Sequence, residues 1–120
     1  MSEWYSRPIF FVADIARSLT FYTDRLGFTP GFRYEEDGKL LVAQVGREDC
    51  EIILDGQQAE RVGHGRIFVS VDLAPLQALR SELEERGAPI SDGWWGYDTM
   101  IVTDPDGNEL FFPYPASGAR

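Results

Sequence analysis

The sequence predicts an α+β fold of two tandem βαβββ modules, which form cupped mixed sheets, each backed by a helix. Two observations carry this prediction: one clear helical pattern in each half, and an internal repeat. An offset of 59 residues carries Arg7 onto Arg66, and an offset of 60 carries Gly27 onto Gly87. We expect one domain over 1–120, with repeats at about 7–55 and 66–114 joined by a polar linker at 56–65.

The first repeat begins with a continuous apolar run, 8–12, which is typical of a strand covered on both faces. Asp14 is a suitable N-cap for the helix that follows, and Gly27 is a suitable stop. Between them, apolar residues recur at helical spacing: Ile15, Leu19, Tyr22 and Leu26. Three strand-like runs come next, at 31–36, 39–45 and 49–54, so the predicted order is β-α-β-β-β.

The second repeat has the same order. A strand at 66–72 precedes a helix in which Pro75 occupies the first turn and Gly87 marks the end. The buried stripe of this helix is predicted to comprise Leu76, Leu79 and Leu83. Strands are expected around 89–92, 97–103 and 109–112, which completes the second βαβββ unit.

The last two strands are joined by the turn at 104–108, Asp-Pro-Asp-Gly-Asn. Pro105 presets its own φ for a turn and Gly107 supplies a positive φ, so these residues predict a β-hairpin. Trp94 and Trp95 precede this hairpin. The repeat places the two tryptophans at the lip of a cup, although such aromatic clusters are more often part of a core.

Composition excludes several classes of protein. Hydrophobic residues make up 43% of the chain, which is ample for a packed core, and a net charge of −9 disfavours binding to nucleic acid. No apolar run approaches the roughly 20 residues needed to span a bilayer, and the N-terminus does not resemble a signal peptide. Cys50 has no partner for an internal disulfide. We therefore expect a cytoplasmic protein, with Cys50 as an unreactive core thiol.

Several motifs together resemble one known superfamily. They are the Phe21-Tyr22 pair, the Leu-Gly-Phe triplet at 26–28, the Trp-Gly pair at 95–96 and the turn at 104–108. On these residues the chain resembles the vicinal oxygen chelate superfamily, which includes glyoxalases, bleomycin-resistance proteins and extradiol dioxygenases. The resemblance covers almost the whole chain and implies the paired-module fold predicted above.

The resemblance also implies four metal-ligand positions, and only one of them carries a ligand here. The positions map onto Arg7, Glu51, Arg66 and Phe111. Arginine stays protonated and has no lone pair to offer a metal, so we expect neither a metal nor another cofactor. His64 and Glu109 lie two residues from lost ligands, about 6.6 Å along a strand, which is too far to preserve the ligand set.

Strand alternation predicts which side chains face the cup. Arg7 in the first module and Arg66 and Phe68 in the second should lie on this concave face, together with Glu51 and Phe111. We expect Glu51 to form ion pairs with the arginines where a metal would otherwise bind, because partly buried charges need partners. The alternative is that both arginines lie at the rim and extend into water.

The lost ligands point to the metal-free branch of the superfamily, typified by bleomycin-resistance proteins. The resemblance to that branch implies an acidic homodimer that sequesters a flat, cationic antibiotic, with an N-terminal segment exchanged between subunits. It assigns to Trp95 the stacking contact with the ligand rings. Four further aromatic residues are candidates for a second wall of the ligand site: Trp94, Phe32, Tyr34 and Phe68.

Two other functions stay open at this point. One is a metal-dependent lyase, isomerase or dioxygenase with a displaced ligand set. The other is an anion-binding module in which Arg7 and Arg66 hold a carboxylate or phosphate. The single histidine, His64, lies in the linker and has no placed partner for nucleophilic catalysis. The leading prediction is a non-catalytic protein that binds a small molecule.

Overall fold

A computed structural model describes residues 4–94 and 96–115, in which eight strands and two α-helices follow the predicted order. The first module contains β1 (Ile9–Phe11), α1 (Ile15–Thr20), β2 (Thr29–Glu36), β3 (Lys39–Arg47) and β4 (Cys50–Asp55). The second module contains β5 (Arg66–Phe68), α2 (Leu73–Glu85), β6 (Ile90–Trp94), β7 (Asp98–Thr103) and β8 (Glu109–Pro113). A short 3₁₀ turn, Ala59–Arg61, lies in the segment between the modules.

Each module forms one four-stranded mixed sheet. The strand orders are β1-β4-β3-β2 and β5-β8-β7-β6. In each sheet the first strand pairs in parallel with the last, and the other neighbours are antiparallel. The two sheets have the same topology, which confirms the predicted α+β fold of tandem βαβββ modules.

The first helix begins as the sequence predicts but ends differently. The Asp14 side chain accepts a hydrogen bond from the backbone N–H of Arg17 at 3.1 Å, which confirms the N-cap. After Thr20 the helix widens into a π-helical turn, Phe21–Arg25, where the pattern alone predicts a regular α-helix. The Thr23 hydroxyl donates to the Leu19 carbonyl at 2.8 Å, a local bond that favours distortion of this kind.

Side chains alternate along the first strand of each module as predicted. Phe10 is 1% exposed and faces the helix, whereas its neighbour Ile9 is 48% exposed on the other face. In the second module Phe68 is likewise 48% exposed, while Ile67 and Val69 pack against the core. Residues from both modules contribute to one continuous core on the helix side, so the opposite, concave faces stay open to solvent.

The molecule is elongated. Its radius of gyration is 15.0 Å and its extents are 54 × 36 × 25 Å. A compact domain of this length would have a radius of gyration of about 13 to 14 Å. Among the described helices, none is both long and apolar enough to cross a membrane.

Candidate functional site

On the first sheet, the candidate site centres on a chain of three polar side chains. The guanidinium of Arg7 donates to Oε1 of Gln44 at 2.7 Å, and Nε2 of Gln44 donates to Glu51 at 3.4 Å. Strand register places Gln44 opposite Ile53, and Ile53 opposite the exposed Ile9, so this chain lies on the concave face. The Gln44 amide therefore lies between the two residues that were expected to pair directly.

On the second sheet, Arg66 and Glu109 form an ion pair beside two aromatic rings. Nε of Arg66 lies 3.1 Å from a Glu109 carboxylate oxygen, and the guanidinium lies over the Phe111 ring at 5.8 Å from its centroid. Phe68 packs edge-on against Phe111, with ring centroids 5.4 Å apart. Phe111 is only 4% exposed, because Phe68 and Arg66 cover it. At this position a covered aromatic ring therefore stands where a ligand atom could have been, and Phe68 is the ring that solvent reaches.

These contacts correct the predicted pairing of Glu51. Among residues 4–94 and 96–115, Glu51 forms no salt bridge with either arginine. Arg66 is paired with Glu109 instead, because the β5–β8 register sets these two residues side by side. The sequence missed Gln44 as a member of this group. Its signal was a single polar residue in an otherwise apolar stretch of β3.

The donor set at the four positions does not fit a divalent metal. Arg7 and Arg66 hold fixed positive charges there, Phe111 has no donor atom, and Glu51 alone could ligate. Glu109 is occupied by Arg66, and His64 is exposed in the segment before β5. Within the part of the chain that the structure describes, no three histidine, cysteine or acidic side chains form a metal-binding group.

Two of the candidate aromatic residues lie on β2, the outer strand of the first sheet. Phe32 and Tyr34 are 46% and 47% exposed. Tyr34 pairs with Val42, two residues from Gln44, so both aromatic side chains share the concave face. The Tyr34 hydroxyl donates to Glu36 at 2.6 Å, and this bond raises the pKa of the phenol. Three strand spacings, about 14 Å, separate β2 from β1, so these rings flank the Arg7 group at a distance.

The structure separates Trp94 from the other candidates. Trp94 pairs with Asp98 at the end of β6, and along the strands both residues share the face of Asp92 and Met100. Met100 is fully buried on the helix side, so Trp94, although 63% exposed, lies on the opposite face from Phe68. Its predicted place at the lip of the cup is therefore wrong. Trp95 lies outside the described residues.

The hairpin turn at 104–108 is not at the edge of a cup but at the junction of the two modules. The Asp104 carboxylate is 4% exposed and accepts four hydrogen bonds at 2.9–3.0 Å. The donors are the Tyr22 hydroxyl, the backbone N–H groups of Asp106 and Asn108, and the Asn108 amide. Burial, followed by the charge of Asp104, raises the pKa of Tyr22 well above its ordinary value.

The same turn also holds the first strand and the segment between the modules. Asn108 donates to the Phe11 carbonyl at 3.2 Å and accepts from the backbone N–H of Gly65 at 2.8 Å. Asp106 forms an ion pair with Arg17 of α1 at 2.8 Å. We call this region, in which β1, the first helical segment and the segment before β5 meet the 104–108 turn, the closed junction, because buried hydrogen bonds connect its parts.

A second contact joins the end of β3 in the first module to α2 in the second module. We call this contact, together with the cleft beside it that Val69 lines, the open junction. Here Arg47, at the end of β3, forms two hydrogen bonds of 2.7 and 2.9 Å with Glu82 of α2 and a third, of 2.8 Å, with the Leu26 carbonyl. Arg86 also donates to Glu82 at 2.8 Å. The hydrogen bond from Arg47 is the main reason that the pKa of Glu82 is lowered.

Cys50 lies beside the open junction. It is half-buried rather than fully buried, and burial raises the pKa of its thiol. Cys50 packs against the core as one of its partly buried members, and its low reactivity stays a prediction.

Comparisons with known proteins agree with this architecture. An antibiotic binding protein, TnmS3 from Streptomyces sp. CB03234, is 19% identical, with a TM-score of 0.70 over 97% of this chain and 100% of that chain. A glyoxylase/bleomycin resistance protein/dioxygenase domain from Frankia sp. EAN1pec is also 19% identical, with a TM-score of 0.70 over 98% and 96% of the two chains. The fosfomycin resistance protein FosX from Mesorhizobium loti is 13% identical, with a TM-score of 0.66 over 98% and 96%.

At these identities the three structures show a shared fold. No curated protein matches the sequence significantly. The family model named Glyoxalase/Bleomycin resistance protein/Dioxygenase superfamily matches residues 5–112, which is most of the chain. The fold, the repeated module and this match together establish that the chain belongs to the glyoxalase/bleomycin resistance/dioxygenase superfamily.

Proposed function

We propose that this protein binds a small molecule without a metal and sequesters it without breaking a bond. The observation that carries the proposal is the concave face of the second sheet, where Arg66, Glu109 and Phe111 replace a ligand set with an ion pair and a covered ring. A site built in this way can hold a ligand by stacking and charge. It offers no Lewis acid to polarise a bond.

The ligand site is completed by a second copy of the chain. Four large side chains on the concave faces, Ile9, Phe32, Tyr34 and Phe68, are each between 46% and 48% exposed. An exposed apolar surface of this kind is typical of an interface or a ligand groove. Two concave faces that meet in a homodimer would enclose a ligand that a single elongated chain leaves open to solvent. An exchange of the N-terminal segment, with Trp4 and Tyr5, would be compatible with this arrangement.

A flat, cationic aromatic antibiotic is the ligand class that we propose. A net charge of −9 attracts cations, and the exposed rings of Phe32, Tyr34 and Phe68 offer stacking surfaces. The solved structure of an antibiotic binding protein with the same fold makes this class the first to test. In this proposal Trp95 supplies the main stacking contact, the role that the family resemblance assigns to it.

The first experiment measures metal content and binding on the same purified protein. We expect elemental analysis to find no stoichiometric divalent metal, and calorimetry to detect binding of bleomycin by a dimer. Stoichiometric metal would instead support the second candidate, a metal-dependent enzyme related in fold to the fosfomycin resistance proteins. A protein that is monomeric by light scattering would contradict the dimeric site.

The neighbouring tryptophans provide a matched pair of variants. Trp95→Ala should weaken bleomycin binding about tenfold, since the loss of one stacked ring costs about 1 to 1.5 kcal/mol. Trp94→Ala should leave the affinity within about twofold, because Trp94 lies on the opposite face of the sheet from Phe68. Equal losses in the two variants would contradict the assignment of Trp95.

A further inference from the structure

The two junctions differ in the size of the side chain that fills them. At the closed junction the ring of Phe10 is buried against Gly65 and Asn108, so closely that a Cβ added at Gly65 would overlap the ring. The 59-residue offset carries Phe10 onto Val69 at the open junction. Valine lacks the volume of a phenyl ring, so the same backbone arrangement leaves space there.

That space is a cleft of about 950 Å³ between the first module and α2. Its inner wall is apolar, with Val69, Leu79, Leu83 and Phe112 from the second module and Leu26 and Phe28 from the first. The volume and the apolar lining are those of small-molecule sites, which typically enclose about 300 to 1,000 Å³. Most of the wall consists of side chains that point toward the helices, and the cleft meets the concave face only at its edge, at Arg7, Glu51 and Phe68.

The mouth of the cleft is acidic. Glu48, Asp49 and Asp72 line it, and among the described residues none of the three forms a salt bridge. The two cationic side chains nearby are both engaged: Arg47 bonds Glu82 with two N–H groups, and Arg7 donates to Gln44. Three carboxylates beside an apolar wall complement a ligand with a positive head and an apolar body.

We propose that the open junction is a second ligand site, which binds an amphiphilic cation with its apolar part against Val69 and its cationic group among the carboxylates at the mouth. Glu48, Asp49 and Asp72 are exposed at the mouth, so the cationic group can reach them from solvent. This site adjoins the stacking site proposed above and shares Phe68 with it, but its apolar wall and its three carboxylates belong to the cleft alone. It would persist if that proposal failed.

Three probes of equal chain length test the chemical class: decyltrimethylammonium, 1-decanol and decanoate, each below its micelle-forming concentration. Calorimetry should show that the ammonium probe binds at least tenfold more tightly than the alcohol and that decanoate binds most weakly. The probe should also slow alkylation of Cys50, which lines the cleft. Equal affinities for the three probes, or an unchanged alkylation rate, would overturn the proposal.

A cavity-filling variant tests the location. Val69→Phe introduces the ring that the closed junction carries at Phe10, and it should weaken the ammonium probe at least tenfold while bleomycin binding is retained. Val62→Phe, outside the cleft lining, is the matched control and should bind the probe as the natural protein does. Should Val69→Phe not fold, Leu79→Phe fills the same space. Undiminished probe binding in a folded filled variant would refute the site.

Removal of two carboxylates tests the role of negative charge at the mouth of the cleft. The double variant Glu48→Gln, Asp49→Asn should lose most of the preference for ammonium over alcohol while it still binds the alcohol. A preference that survives would show that the head group is bound elsewhere, and so would overturn the proposed orientation. If the cleft is instead occupied by a second chain, the natural protein will bind none of the probes and Val69→Phe will change its oligomeric state.

Discussion

The two module junctions are built from the same repeat, yet one is filled and the other is open. At the closed junction Tyr22 of the first helical segment bonds the buried Asp104, which directly follows β7. At the open junction Glu82, which the 60-residue offset relates to Tyr22, bonds Arg47 at the end of β3. A buried, neutral donor and its acceptor at one junction are thus replaced at the other by an ion pair whose side chains are about one third exposed.

The two junctions show that copies of one module can be joined by contacts of different kinds. The closed junction holds the modules together through Asp104 and Asn108, whose polar atoms are bonded and buried. The open junction leaves part of its apolar wall to solvent and relies on surface charges, which contribute less to stability. Stability is therefore concentrated at one end of the interface, and the other end has space for a ligand.

The largest expected effect is the loss of the Asp104 carboxylate. Asp104→Ala leaves the Tyr22 hydroxyl and two backbone N–H groups without their acceptor, and should lower the free energy of unfolding by about 3 kcal/mol or more. Urea denaturation measures this value. An equal loss of stability in Arg47→Met, at the open junction, would contradict the view that stability is concentrated at the closed junction.

A smaller loss is expected when the closed junction is overpacked. Gly65→Ala places a Cβ against the Phe10 ring and 2.8 Å from Oδ1 of the Asn108 side chain, which should cost about 1 to 3 kcal/mol. The 59-residue offset relates Gly65 to Ser6, where a side chain is already present. Ser6→Ala is the control and should change the midpoint of urea unfolding little. Comparable losses in the two variants would contradict the difference in packing.

At the open junction a single charge removal should have a modest effect. In Glu82→Gln the guanidinium of Arg47 loses a partner but keeps its bond to the Leu26 carbonyl. Both side chains are about one third exposed, so we expect a loss of about 1 kcal/mol, reduced further by added salt. Thermal unfolding at low and high ionic strength checks both the size and the salt dependence. A loss that matches Asp104→Ala would remove the distinction between the junctions.

The smallest expected effects concern the pH dependence of the free energy of unfolding, which differs between the two junctions. The pKa of Glu82 is lowered, so its contribution to stability is complete above the ordinary value of 4.5 and is lost as pH falls through the lower, folded value. The pKa of Tyr22 is raised, so its contribution is complete below 10.0 and is lost as pH rises through the folded value.

Two variants should therefore alter the pH dependence of the free energy of unfolding, one in the acidic range and the other in the alkaline range. Glu82→Gln should be less sensitive to acid than the natural protein, and Tyr22→Phe should be less sensitive to alkali. Chemical denaturation across the pH range provides both curves. Variants whose curves run parallel to that of the natural protein would show that neither group is linked to folding.

Much of the fold follows from local features that a sequence displays directly. Asp14 caps α1, Gly27 and Gly87 end the two helical segments with φ of 71° and 73°, and the turn at 104–108 joins β7 to β8. The π-helical turn after Thr20 could not be predicted, because helical spacing is tolerant of one widened turn. Strand alternation placed Arg7 and Phe68 correctly, since a strand has only two faces.

The side-chain contacts of the candidate site could not be predicted from local features. The Arg7–Gln44 and Arg66–Glu109 contacts depend on which strands are neighbours and on their register, and several acceptors compete for each guanidinium. Trp94 was placed on the wrong face, because the register of β6 against β7 was not known from the sequence. One residue of shift in that register reverses every side chain on the strand.

The sequence by itself determined the repeated βαβββ order, the Asp14 cap of α1 and the glycines that end both helical segments, because these depend on residue type and short-range spacing. Only the tertiary structure decided that the 104–108 turn closes one junction and that Val69 leaves the other open. The reason is physical, because packing depends on which distant side chains meet. Phe10 fills the space beside Gly65, whereas Val69 leaves space beside α2, and neither neighbour is known until the chain has folded.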